Sequence, residues 1–167
     1  SSDLAVAQQG NLSGDLMTSV NFFQRDTNIK AAGNPLYDNL LTGGEGWLSL
    51  RYSGHGFTGT VRFDGFNNSN LHNPVSPYSA QGIGFWNVSK QFENLTVTGG
   101  YFYDQFGSGI VFRAYEDRGL GIDNAIYGLQ LKYKMFNDRL YLKAFTGSQK
   151  NLFSNYAPIV KGINAES

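Results

Sequence analysis

The 167-residue sequence contains no cysteine. That excludes disulfides, thiolate zinc ligands and thiol catalysis. It contains no run of about 18 apolar residues, so no segment can cross a membrane as a helix. It has no long basic run, and 13 Lys and Arg balance 13 Asp and Glu to a formal net charge of zero. A nucleic-acid-binding face would need a basic surplus. Histidine occurs only twice, at His55 and His72, in connections expected at opposite ends of the strands, on opposite sides of a membrane, where the two cannot easily share a metal or a triad. No G-x-S-x-G motif is present. Gly107-Ser108-Gly109 is too short for a phosphate loop and lacks the Gly-Lys-Ser/Thr ending.

What the sequence does have is aromatic side chains and glycine. There are 13 Phe, 10 Tyr and 21 Gly, and aromatics make up 15% of the chain. Such a composition favours strands and turns over helices. Mean hydropathy is only −0.31. A membrane β-barrel reconciles the two, because only alternate strand residues face lipid.

Period-two alternation marks seven segments. The first runs from Leu12 to Gln24, with Leu16, Val20 and Phe22 against Asp15, Ser19 and Asn21. The second is Trp47–Ser53 and the third is Phe57–Phe66. The fourth is Ile83–Phe92, where Lys90 interrupts the apolar face, and the fifth begins at Leu95. The sixth is Ala125–Lys134 and the seventh is Arg139–Thr146. Gly54-His55-Gly56, Glu93-Asn94 and Asn137-Asp138 suit tight turns. Longer polar connections are expected near 27–45, 69–82, 107–124 and 150–161. Short turns on one side and long loops on the other match outer-membrane barrels.

The expected fold is therefore all-β: an antiparallel up-and-down transmembrane β-barrel, of which the chain supplies the N-terminal portion. It comprises about seven strands and the start of an eighth at Gly162–Ser167. Residues 1–10 lack alternation and are expected to form a periplasmic tail, with the partial barrel spanning 11–167. An odd strand count leaves the barrel incomplete, because bacterial barrels usually close on an even number. A water-soluble β-sandwich would show the same alternation.

Charge placement sets the faces. A mid-bilayer Arg or Lys facing lipid costs about 2–4 kcal/mol. Asp15, Arg51, Arg62, Asp64, Asp104, Lys132, Lys134 and Lys143 all share the polar phase, and are expected to face the lumen. Tyr52, Trp86, Tyr101, Tyr103, Tyr127 and Tyr133 share the apolar phase, suited to interfacial girdles. One connection concentrates charge: Arg113, Glu116, Asp117, Arg118 and Asp123. It reads as a solvated outer loop stabilised by its own ion pairs, or as a loop that lines a pore or contacts a partner. Glu116 and Asp117 are adjacent, so in extended chain they point apart and make no glycosidase pair. No catalytic residue, metal or cofactor is expected, and the chain does not read as an enzyme.

The same stretch carries a resemblance. It contains Phe102-Tyr103-Asp104-Gln105-Phe106-Gly107-Ser108-Gly109, then Arg113-Ala114-Tyr115-Glu116-Asp117-Arg118, then Leu120-Gly121-Ile122-Asp123-Asn124-Ala125 and Gly128. This resembles uncharacterised outer-membrane β-barrel proteins of Bacteroidota, which carry F-Y-E-Q-F-G-x-G, R-x-[YW]-E-D-R and L-G-I-[ND]-N-A. Asp104 replaces the family's Glu. Lys161–Glu166 resembles the start of the family's next strand, and Asn34-Pro35 fits its first loop more loosely. The resemblance spans about residues 30–166 and implies a barrel several times longer than this chain. It implies no activity and no catalytic residues.

Three functions are in play. The first is a channel, porin-like or transport barrel in the bacterial outer membrane, motivated by charges of both signs on one face. The second is a structural or accessory subunit of an outer-membrane secretion or assembly complex. The third is a soluble carbohydrate-binding β-sandwich, motivated by the many aromatics. The expected partners are outer-membrane lipid and other envelope proteins, and not nucleic acid.

Overall fold

A computed structural model describes residues 10–24, 28, 40–73, 76–136 and 139–166. Residues 1–9 of the expected tail at 1–10, most of the 27–45 connection with Asn34-Pro35, and the Asn137-Asp138 turn lie outside the described residues.

The chain is all-β and antiparallel. Its strands are β1 (Asn11–Phe22), β2 (Thr42–Gly54), β3 (Phe57–Ser69), β4 (Tyr78–Gln91), β5 (Leu95–Phe102), β6 (Asp104–Gln105), β7 (Arg113–Ala114), β8 (Glu116–Asp117), β9 (Ile122–Asp123), β10 (Ile126–Met135), β11 (Leu140–Asn151) and β12 (Ser154–Glu166). Eight of them form one sheet in the order β1-β2-β3-β4-β5-β10-β11-β12. The ladders β6–β7 and β8–β9 are separate two-stranded sheets within the β5–β10 connection. The large sheet is open, with β1 and β12 as its edges. Pro158 lies in the edge strand β12, where a missing N–H is tolerated.

Two-residue turns set the register. His55 and Gly56 have φ of 54° and 73°, the double positive φ of a type I′ hairpin. The Phe92 N–H donates to the Leu95 carbonyl at 2.8 Å and closes the next turn. Asp15 then aligns with Ser49, Arg62 and Phe85, while Leu16 aligns with Leu48, Phe63 and Ile83. Farther along, Val97, Leu131, Ala144 and Ile163 fall in one row. One face is thus apolar across the sheet, and the other carries the charges.

The two faces differ in what covers them. The core clusters lie on the polar side, between the sheet and the 103–125 connection. One is Phe102, Ala114, Ile126 and Phe145, with Phe106 and Phe112 against it. The other is Phe85, Tyr101 and Ala125, with Tyr103. Among the described residues nothing packs over the apolar face. Leu16 is 69% exposed, Ile83 52% and Ile163 82%.

Three expectations need correction. The 150–161 segment is not a loop: β11 runs to Asn151 and the full strand β12 begins at Ser154, not at Gly162. Between them Ser154 Oγ donates to the Asn151 carbonyl at 2.9 Å. Pro158 and a run of apolar residues on both phases concealed that strand. Tyr101 and Tyr103 do not join the exposed apolar face. Gly100 has φ of 102°, which breaks the alternation, and both rings stack on Phe85 at 5.7 and 5.2 Å. Finally, the 107–124 connection is not a solvated loop closed on itself, because its carboxylates pair with the sheet.

Candidate functional site

Arg62 lies mid-strand in β3, with its side chain 5% exposed. A guanidinium there needs several acceptors. Asp64, two residues along the same face, supplies a bidentate pair: Nε donates to Oδ1 at 2.6 Å and Nη2 to Oδ2 at 2.8 Å. The other acceptors come from the 103–125 connection. Nη1 donates to Glu116 at 2.6 Å and Nη2 to Asp123 at 2.7 Å. Glu116 sits in β8 and Asp123 in β9, opposite each other in the ladder. The small hairpin therefore presents both carboxylates to one arginine.

Local backbone makes room for this. The β3–β4 register slips between Arg62 and Phe63, leaving Gly84 as the extra residue of a bulge. A Cβ at Gly84 would lie 1.7 Å from Asp64 Oδ2, so a larger residue there would expel the carboxylate.

Other groups complete the network. Lys150 of β11 donates to Asp123 Oδ2, and Tyr103 donates to Asp123 Oδ1 at 2.9 Å. Arg118 Nε donates to Glu116 at 3.0 Å, and its guanidinium lies 5.5 Å from the centre of the Trp47 ring. Three cations thus face three carboxylates. Burial works against the Asp123 charge, but the adjacent Lys150 and the hydrogen bonds from Lys150 and Arg62 outweigh it and lower its pKa. Burial, reinforced by the charges of Asp123 and Glu116, raises the Tyr103 hydroxyl far above its ordinary value. That hydroxyl remains a donor at every working pH.

A second cluster lies toward the opposite end of the sheet. Asp104 pairs with Lys132 at 3.1 Å and Lys143 at 3.5 Å, and accepts from Gln130 at 2.7 Å. Lys143 also reaches Glu166 at 3.2 Å. Asp104 is in β6, beyond the end of β5, so it reaches this face from the connection and not from the strand. Asp15 and Arg51 form an exposed pair at 2.9 Å. Lys134 lies 5.6 Å from the Tyr141 ring centre.

The structure divides the sequence-predicted loop cluster. Glu116, Arg118 and Asp123 join the Arg62 network. Arg113 instead lies 4.6 Å from the Tyr115 ring centre, and Asp117 accepts from the Leu120 N–H at 3.1 Å. Sequence reading missed Lys150 and Tyr103. Lys150 is out of phase with Lys143, and only the register slip between Ser148 and Lys150 turns it inward. Tyr103 is masked by the reversal at Gly100. His55 and His72 flank opposite ends of β3. Burial lowers the pKa of His72, leaving it neutral at pH 7.

Chemically, the network is a latch. Each carboxylate is committed to a cation, which leaves no lone general base. Among the described residues, no group of three His, Asp or Glu side chains could hold a metal ion.

The chain matches the model of a family of unknown function, DUF6029, over residues 2–167, and it belongs to that family. No curated protein matches it.

Proposed function

We propose that this DUF6029 chain is a stretch of the wall of a bacterial outer-membrane β-barrel of the porin-like or transport kind, with its 103–125 connection folded into the lumen. The carrying observation is the polarity of the sheet: among the described residues its apolar face is bare, while the Arg62 network on the other face is covered. Water would penalise that arrangement and lipid would favour it. A soluble sandwich would cover the apolar face with a second sheet, and among the described residues none lies there.

Lys90 supports the reading. It lies in β4 near the turn end, and its Nζ donates to the His55 carbonyl at 2.7 Å. The same Nζ sits 3.9 Å over the Phe57 ring. A lysine at a membrane boundary reaches out of the hydrocarbon in this manner. Tyr52, Phe57 and Phe92 are exposed near the same end, where an aromatic girdle belongs. Lys161 is the exception on the apolar face. It lies in the edge strand β12, in register with Thr146 and between Ile159 and Ile163 of the same face. Within a bilayer the edges β1 and β12 require partner strands, because lipid cannot satisfy backbone N–H and C=O groups.

A second reading is a structural or accessory subunit of an envelope complex. The packing of Phe102, Phe106, Phe112 and Phe145 under the connection favours it, since it narrows any lumen. Planar-bilayer conductance of the full-length protein separates the two: steady ion currents support transport, and a silent, consistently closed barrel supports the structural role.

The shared membrane reading is tested by fractionation and by single-cysteine labelling of the full-length protein in bilayers, after replacement of any native cysteine. An environment-sensitive fluorophore at Leu50→Cys or Leu129→Cys should emit as in hydrocarbon, and at Thr60→Cys as in water. Recovery without detergent, with equal emission at all three sites, would overturn the reading.

A further inference from the structure

A cleft opens where the β8–β9 hairpin, residues 71–72 and the β11–β12 turn meet over the polar face. Its volume is about 310 Å³, at the lower end of the ~300–1,000 Å³ typical of small-molecule sites. Its charged lining is already spent. Asp64, Glu116 and Asp123 are paired with Arg62, Arg118 and Lys150. An ionic ligand would have to break those pairs in a site with no net charge to offer.

The neutral polar groups are in the opposite condition. The Gln149 and Asn151 amides and the Tyr156 hydroxyl line the cleft and make no side-chain hydrogen bond among the described residues. Gln149 and Asn151 are exposed, so together these groups offer donors and acceptors at an open rim. Beside them lie aromatic surfaces. Phe153 packs edge-on to Phe66 at 6.1 Å between ring centres, and Tyr156 is 50% exposed. The matching ligand presents apolar C–H faces, a belt of hydroxyl groups and no charge.

We infer that this cleft binds a neutral mono- or disaccharide, with Tyr156 as its stacking platform and the Gln149 and Asn151 amides reading its hydroxyls. The inference does not rest on the membrane reading, since binding is measured on the purified full-length protein whether or not it requires detergent or conducts ions.

The test is isothermal titration of the full-length protein with glucose, galactose, maltose, cellobiose and lactose, and with glucose 6-phosphate and the zwitterionic dipeptide Gly-Gly for comparison. At least one neutral sugar should bind in the millimolar range or tighter. Tyr156→Ala should weaken that sugar about tenfold or more, the loss of an aromatic anchor, and Gln149→Ala should weaken it less. Tyr141→Ala, remote from the cleft, should leave binding unchanged. Tyr156 and Gln149 are exposed, so both variants should fold, which the circular-dichroism spectrum and thermal midpoint of each, compared with the parent, verify. Binding of no neutral sugar, binding confined to the phosphorylated sugar or the dipeptide, or sugar binding untouched by both cleft variants would each overturn the inference.

Discussion

The two faces of the sheet solve opposite problems. On one, Leu16, Leu48, Phe63 and Ile83 stand in a row without covering groups. On the other, Arg62 is buried and makes four short hydrogen bonds to three carboxylates. A protein folding in water does the reverse, hiding its aliphatic side chains and leaving its ions wet. Burial on the polar side therefore combines charge with aromatic packing: the connection between β5 and β10 is held down by ion pairs to the sheet as well as by its aromatic contacts.

Breaking the charged side should have the largest effect. Arg62→Ala removes one partner from a buried network and leaves Asp64, only 4% exposed, without its counter-ion. Such losses cost about 3–5 kcal/mol. The expected outcome is a large drop in the denaturant midpoint of the full-length protein, with proteolysis appearing within residues 103–125. A variant as stable as the parent would show that the aromatic clusters alone hold the connection.

Inverting the apolar side comes next. Leu50→Arg places a cation on the bare face, and Thr60→Arg places one on the polar face. In a bilayer the first should cost about 2–4 kcal/mol near the midplane and the second much less, read as unfolding free energies in lipid. Equal costs would remove the distinction between the faces.

How much of this contrast was legible depended on phase. Arg62 and Asp64, two apart in an unbroken alternation, could be placed on one face from sequence because side chains alternate strictly along a strand. The pairing of Glu116 and Asp123 with Arg62 could not. It joins residues 54 and 61 apart, and no local pattern encodes it. Lys150, Tyr103 and the start of β12 were lost to local irregularities: a bulge near Ser148, a reversed glycine at 100 and a proline in an edge strand. A single inserted residue swaps the faces of all that follow, so the errors cluster where the chain departs from regular strand. Those departures surround the latch and the cleft.

Acid should loosen the latch in a defined direction. Asp123 faces Lys150 of β11, Arg62 of β3, Tyr103, and Glu116 across its own ladder. Its pKa is lowered in the folded protein, so the unfolded chain binds its proton at higher pH. The contribution of Asp123 is therefore complete above the ordinary carboxylate value of about 4 and is lost as pH falls through the lower folded value. His72, also lowered, adds a loss beginning below about pH 6.5. Lys150→Met removes the main cause of the Asp123 shift, so the folded and unfolded values draw together and the carboxylate-linked loss in acid should shrink, from a lower starting stability near neutral pH. Thermal midpoints across the acid range, compared for the parent and this variant, measure that flattening, and profiles of equal steepness would count against Lys150 as the source of the shift.

The smallest effect tests whether burial, and not charge alone, gives the network its strength. Asp15 and Arg51 form an ion pair at 2.9 Å, only slightly longer than most in the latch, but their side chains are 44% and 56% exposed. Exposed pairs contribute about 0–1 kcal/mol, because water and salt screen them and two long side chains lose freedom. Asp15→Asn should therefore shift the unfolding midpoint only slightly, and the shift should vanish at high salt. The Arg62→Ala loss should persist there, since its partners are covered by the 103–125 connection and poorly screened. If both variants responded to salt alike, the latch would be as wet as the exposed pair, and its cover by the 103–125 connection would add nothing to its strength.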